Sequence, residues 1–294
     1  MDGRTLMFGV GATKAGTSWL HRYLCDHPQC DLPQIKELHY FDRIGAPHLD
    51  KELTRLATVR ANLLAESLMA KGPKVERLEA RIDEVEAWIG VMQRGAIEQD
   101  AYLAFLGRNA DAGTRLVGDI TPAYGLLDEP VLAEMASLAP DTRFVMLLRD
   151  PLDRLWSNLR MMAGWRRKDD EDLGEKAGRL FDRMLRGKED PVIERSDYTG
   201  MLTRLQNVVP SERLHVEFYE TLFTQGAVDR ICAFLGIAPE EGAFDHRVHA
   251  SPEAELDVAL AVRARDLLLP HYDYVQGLMG TLPARWLDNR EVLS

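Results

Sequence analysis

Lys14 stands in a short loop bounded by Gly11 and Gly16, and the hydroxyls of Thr17 and Ser18 follow at once. An apolar run over residues 6–10 precedes the loop, and Trp19 and Leu20 continue what reads as the start of a helix. A strand, a glycine-bounded loop and a helix start together make a phosphate site. Successive backbone N–H groups converge on one concavity, and the helix dipole adds positive potential there. Gly11 and Gly16 have the spacing of a Walker A loop, but Thr17 takes that motif's lysine position and the lysine lies inside the loop as Lys14. The pattern suggests a phosphate cradle of a kind different from an ATPase's. A tight turn in an α/β fold would use the same glycines.

Two further groups of residues could do chemistry. In Lys36-Glu37-Leu38-His39-Tyr40-Phe41-Asp42, Glu37 is a carboxylate able to take a proton and His39 an imidazole able to do the same. An extended segment would point Glu37 and His39 to opposite faces, so a shared face requires a turn. The same residues would also serve as a solvated turn anchored by Tyr40 and Phe41. Farther on, Arg149 follows an apolar run and Ser157 comes eight residues later. An arginine fork binds two phosphate oxygens, and a serine hydroxyl one or two turns into a helix adds a third contact. Asp150 as N-cap and Pro151 at N1 explain the same stretch as a helix start, and both readings can hold together.

These motifs resemble, in order, those of the sulfotransferases that use 3′-phosphoadenosine 5′-phosphosulfate (PAPS), and most closely the heparan-type branch. Lys14-Ala15-Gly16-Thr17-Ser18-Trp19 is similar to that family's 5′-phosphosulfate loop. Lys36-Glu37-Leu38-His39-Tyr40-Phe41 resembles its Lys/Arg-Glu-x-x-Phe-Phe segment, and Arg149 with Ser157 resembles its 3′-phosphate site. Gly118-Asp119-Ile120-Thr121-Pro122-Ala123-Tyr124 is similar to Gly-Glu-Lys-Ser/Thr-Pro-x-Tyr, except that Ile120 replaces the lysine. The resemblance implies sulfuryl transfer from PAPS to a hydroxyl, or an amine, with no metal. It makes Lys14 the cation at the transferring group, Glu37 the general base and His39 the alternative. Ala15, Gly16, Thr17, Ser18, Trp19, Arg149, Ser157 and Arg247 would hold the nucleotide, Arg247 from a loop closing over it.

The elements that must carry these residues can be read from patterning. Residues 17–26 suggest a helix ending ahead of His27-Pro28, and residues 30–33 a short strand. Residues 115–120, 143–148 and 213–218 read as strands, the middle one apolar enough to be buried on both faces. Residues 127–138, 198–209 and 222–235 read as helices, the last closed by Gly236, with further helices over 253–269 and 272–279. Between residues 50 and 108 leucines and isoleucines recur at helical spacing on both sides of Gly72-Pro73, which predicts a helical hairpin inserted into the fold. It could pack on the core, cover the substrate or make a homodimer contact. Residues 164–190 are charge-rich and read as a mobile, solvated face or loop.

Alternating strands and helices predict an α/β fold with a central parallel sheet flanked by helices, P-loop-like, in a single domain over residues 1–294. The chain has 294 residues, enough for a full core, with 46% hydrophobic and 28% charged residues. A net charge of −11 argues against nucleic acid and anionic membranes as general partners and favours a small or weakly charged acceptor. Cys25, Cys30 and Cys232 lack metal-ligand spacing, and the expected location is the cytoplasm. Two rivals remain at this level: a P-loop kinase or NTPase, for which Asp119 would be the Mg²⁺ ligand, and a non-catalytic nucleotide-binding protein of the same fold.

Overall fold

The computed structural model describes residues 3–43, 48–94, 99–168, 170–244 and 256–294. At its centre is β1 (Thr5–Gly11), every residue of which is buried. Such a strand must be covered on both faces, which is why residues 6–10 show no polar alternation. After the loop come α1 (Thr17–Asp26), β2 (Cys30–Asp31) and the short α2 (Tyr40–Arg43). The long helices α3 (Leu49–Met69) and α4 (Pro73–Gln93) pack against each other, and α5 (Gln99–Leu106) leads into β3 (Leu116–Ile120). Leu56, Trp88 and Met92 join the main core, whereas Leu63, Leu78, Ile82 and Val85 make a small separate cluster between α3 and α4.

The second half supplies α6 (Glu129–Ser137), β4 (Thr142–Leu148), α7 (Pro151–Arg166), α8 (Leu173–Leu185), α9 (Asp190–Glu194), α10 (Tyr198–Val208) and β5 (Leu214–Phe218). It closes with α11 (Tyr219–Leu222), α12 (Gln225–Leu235), α13 (Val258–Val262), α14 (Arg265–Met279) and α15 (Ala284–Leu293). The five strands are parallel in the order β2-β3-β1-β4-β5. The α/β class and central parallel sheet expected from the sequence are therefore observed. Leu6 lies opposite Val117 on one side and Thr142 on the other. The chain turns from one side of β1 to the other, so the carboxyl end of β1 is the switch point where open parallel sheets bind ligands. No helix among the described residues is long and apolar enough to cross a membrane.

Several boundaries differ from the sequence reading. Residues 173–185, expected as part of a mobile segment, form α8, with Leu173, Ala177, Leu180, Phe181 and Met184 buried at helical spacing and Asp172 accepting the Glu175 N–H at 2.9 Å. Charge density in the surrounding sequence hid this apolar stripe. The helix expected over 222–235 is broken at Phe223-Thr224, where the Thr224 hydroxyl caps α12. α14 runs through Pro270 instead of dividing there, and α15 has no counterpart in the sequence reading.

Candidate active site

The segments singled out in the sequence all follow the carboxyl ends of strands: the 12–16 loop after β1, Lys36 and Glu37 after β2, Thr121 and Tyr124 after β3, Arg149 after β4. Parallel strands bring these ends to one edge of the sheet. In the loop, the Ala15 N–H donates to the Ala12 carbonyl at 3.1 Å, which closes the turn. The first-turn amides of Thr17 and Ser18 have no carbonyl partner within α1. Gly16 has φ of +93°, and a Cβ there would lie 2.8 Å from Leu222 and 3.1 Å from Tyr219, so only glycine fits. Lys14 has its pKa lowered, first by burial and then by the charges of Arg149, Arg160 and Lys36, while Glu37 acts in the opposite direction. Four cations thus converge on the loop. Arg160, three residues beyond Ser157 on α7, was missed in the sequence, because helical spacing from Ser157 was the only signal.

The 37–42 segment turns sharply. Glu37 and His39 have φ of +64° and +56°, and Lys14 has +73°. Among the described residues these three are the non-glycine positions in the left-handed region, where backbone strain costs energy and persists only when surrounding contacts enforce it. The turn brings together what an extended segment would separate: His39 Nε2 lies 3.7 Å from Glu37 Oε2. The expectation of opposite faces is corrected by this turn. His39 Nδ1 is 2.9 Å from Asp42 Oδ2, and Lys36 Nζ pairs with Glu37. Burial would raise the Glu37 carboxyl, but the His39 hydrogen bond and the Lys36 charge outweigh it and hold it at about 2. Burial would lower His39, but its bonds to Asp42 and Glu37 raise it to about 9. These interactions favour the pair as carboxylate and imidazolium at neutral pH. Asp42 was not singled out in the sequence.

A buried network holds this turn in place. Asp119 accepts the hydroxyls of Tyr102 at 2.9 Å, Tyr124 at 2.8 Å and Thr121 at 2.7 Å. Tyr124 Oη in turn accepts the Tyr40 N–H at 2.9 Å, and Thr121 Oγ1 the His39 N–H at 3.5 Å. Burial pushes the Asp119 carboxyl up, and the three hydroxyls pull it back. With both oxygens engaged, Asp119 is not aimed at a nucleotide, so the residue the kinase reading needs is committed to structure. Ile120 is buried in the core and packs on Gly9, where a Cβ would come within 2.8 Å of it. It fills sheet volume and brings no charge to the site.

Arg149 Nη1 donates to the Lys14 carbonyl at 3.3 Å and its guanidinium lies 4.7 Å from the centre of the Tyr219 ring. The strand-end arginine and the 12–16 loop are therefore in contact. Ser157 is buried on α7. Trp19 is also buried, stacked on Tyr23 and Phe244, with Nε1 donating to the Ala243 carbonyl at 3.1 Å. Arg247 lies outside the described residues. Beside Lys36 a cavity of about 170 Å³ opens between the 34–36 segment and the hairpin, lined by Ile35, Arg55, Leu56, Val59 and Arg81.

Comparison with known proteins places these features in context. Residues 7–241 match the model of the sulfotransferase family. The crystal structure of a sulfotransferase from Alicyclobacillus acidocaldarius is similar at 22% identity, with a TM-score of 0.63 over 96% of this chain and 98% of that one. The sulfotransferase domain of the olefin synthase from Synechococcus is 20% identical, with a TM-score of 0.49 over 99% of this chain and 92% of that one. No curated protein matches.

Proposed function

This chain belongs to the sulfotransferase family, and we propose that it moves a sulfuryl group from PAPS to a hydroxyl, or an amine, with Glu37 as general base. Within the family, its motifs favour the heparan-type branch. The observation that carries the reading is the left-handed backbone shared by Lys14, Glu37 and His39. Strain of this kind gathers at functional sites, and here it falls on three residues to which the family resemblance gave catalytic roles.

The donor is held by the loop and by Arg149. The amides of Thr17 and Ser18 and the Lys14 ammonium receive the 5′-phosphosulfate, and Arg149 with Ser157 receives the 3′-phosphate. The acceptor occupies the space beside Lys36. Its oxygen forms a bond to sulfur as the bond from sulfur to the bridging oxygen breaks, and the electron pair leaves with the 5′-phosphate. Lys14 stabilises the charge that develops on that leaving group. The acceptor's proton passes to Glu37. A transition state that is loose, as in phosphoryl transfer, needs positioning more than a strong base, so an ionised carboxylate that orients the hydroxyl suffices. With its bonds to Asp42 and Glu37 favouring the imidazolium, His39 adds positive charge beside Glu37 and leaves the proton to that carboxylate.

Binding tests the donor assignment without an acceptor. Losing a charge-assisted contact costs about 1.5–3 kcal/mol, roughly ten- to a hundredfold in affinity. Calorimetry in the presence of a chelator should show 3′-phosphoadenosine 5′-phosphate (PAP) binding tighter than AMP or ATP by about that factor. Equal affinity for all three, or binding that requires Mg²⁺, would overturn the assignment.

A further inference from the structure

The C-terminal helices α14 and α15 lie beyond the residues that match the family model, which end at 241. Nothing in their sequence suggests chemistry, yet they reach the start of α7. Tyr272 Oη donates to Asp150 Oδ2 at 2.6 Å and Asn289 Nδ2 to Asp150 Oδ1 at 2.7 Å. The same carboxylate caps α7 by accepting the Asp153 N–H at 2.8 Å. Arg285 grips Asp153 with Nε at 2.8 Å and Nη2 at 2.7 Å. One oxygen of Glu220 accepts the Asp150 N–H at 2.9 Å, and the other accepts Trp286 Nε1 at 2.8 Å. Tyr272 and Trp286 are fully buried.

We infer that α14 and α15 form a clamp that sets the position of Arg149 and thereby the preference for a nucleotide bearing a 3′-phosphate. Tyr272, Asn289 and Arg285 are its positioning residues. The inference rests on the proposed role of Arg149 and adds what holds that residue in place. A guanidinium meets two phosphate oxygens only in a narrow range of orientations, so its backbone must be fixed. The Arg149 N–H and carbonyl both bond Tyr198 Oη, at 3.2 and 2.8 Å, and the next residue's amide is held by Glu220. Asp153 and Glu220 both feel the Arg149 charge and would compete with a phosphate for it. Arg285 occupies the first, and Trp286 with the Asp150 amide occupies the second. The guanidinium then faces the Lys14 carbonyl and the Tyr219 ring. Asp150 itself is pushed by burial to about 7, so its capping charge depends on the donors from Tyr272 and Asn289.

Calorimetry with PAP and AMP on the whole chain tests this. The quantity read is the ratio of the AMP to the PAP dissociation constant. In Tyr272→Phe and in Asn289→Ala/Arg285→Ala that ratio should fall by about three- to tenfold, part of what a lost charged contact removes, while AMP affinity stays nearly constant. Folded variants that keep the wild-type ratio would overturn the clamp and leave the role of Arg149 standing. A wild-type ratio near one would overturn both. Should the variants fail to fold, hydrogen exchange on the wild-type chain decides, because coupling between ligand and clamp is reciprocal. PAP should slow amide exchange across residues 265–293 more than AMP does, and equal protection by the two would overturn the inference.

Discussion

The pairing of Glu37 with His39 defines the site at the scale of single residues, and it makes a prediction about pH. His39 is raised from 6.5 to about 9 by Asp42 and Glu37, so the stability it contributes is fully present below pH 6.5 and is lost as pH rises through about 9. Glu37 is held at about 2, so its contribution is present above its unfolded value of 4.5 and is lost as pH falls through about 2. The melting temperature of the wild type should therefore exceed that of His39→Gln most between pH 4.5 and 6.5, with the gap closing toward pH 9. A gap constant across that range would contradict the pairing. The residue types here were legible in the sequence: a lysine in a glycine loop, a carboxylate, a strand-end arginine. Their arrangement was not, because Glu37 and His39 adopt left-handed backbone without a glycine to announce it. Only contacts distant in sequence, from Thr121 and Tyr124, show why the chain turns there.

At the scale of elements, the strands and α1 were readable because burial and the glycine-bounded loop leave local marks. The α3–α4 hairpin was readable as a pattern, but its link to the site was not. Glu84, buried on α4, accepts the amides of Gln34 at 3.1 Å and Ile35 at 2.8 Å, and so ties the hairpin to the segment carrying Lys36. No local signal distinguishes this glutamate from its exposed neighbours. Glu84→Ala would strand two amide donors, at about 1–3 kcal/mol each when they stay dry. Denaturant unfolding should register a loss of about 2 kcal/mol, less than the sum because water can reach part of the segment. PAP affinity should remain within about twofold, because the Glu84 carboxylate bonds the amides of Gln34 and Ile35 and no residue proposed to hold the nucleotide. A variant as stable as the wild type would show that the hairpin is not anchored through Glu84. The same reasoning explains why α8 went unread: its apolar stripe is interleaved with charges that dominate any window of the sequence.

Across the whole molecule, a parallel sheet with its switch point at β1 gathers residues from positions 14, 37 and 149 to one edge; strand and helix alternation predicted the parallel sheet but not the strand order that does this. The C-terminal helices and their contact with α7 did not, since nothing in their composition indicates a partner far away in sequence. The molecule carries a net charge of −11, yet Lys14, Lys36, Arg149 and Arg160 converge at this edge. The net charge would repel a polyanion, in keeping with the expectation of a small or weakly charged acceptor. The central claim is that this edge transfers sulfuryl groups with Glu37 as base, and transfer of labelled sulfate from PAPS to a panel of hydroxyl and amine acceptors measures it directly. The wild type should label at least one acceptor and release PAP in equal amount, and Glu37→Gln should lower that turnover by about 10²–10⁴ with PAP affinity nearly unchanged. Tight PAP binding without label in any acceptor, or a Glu37→Gln variant that keeps most of its turnover, would contradict it.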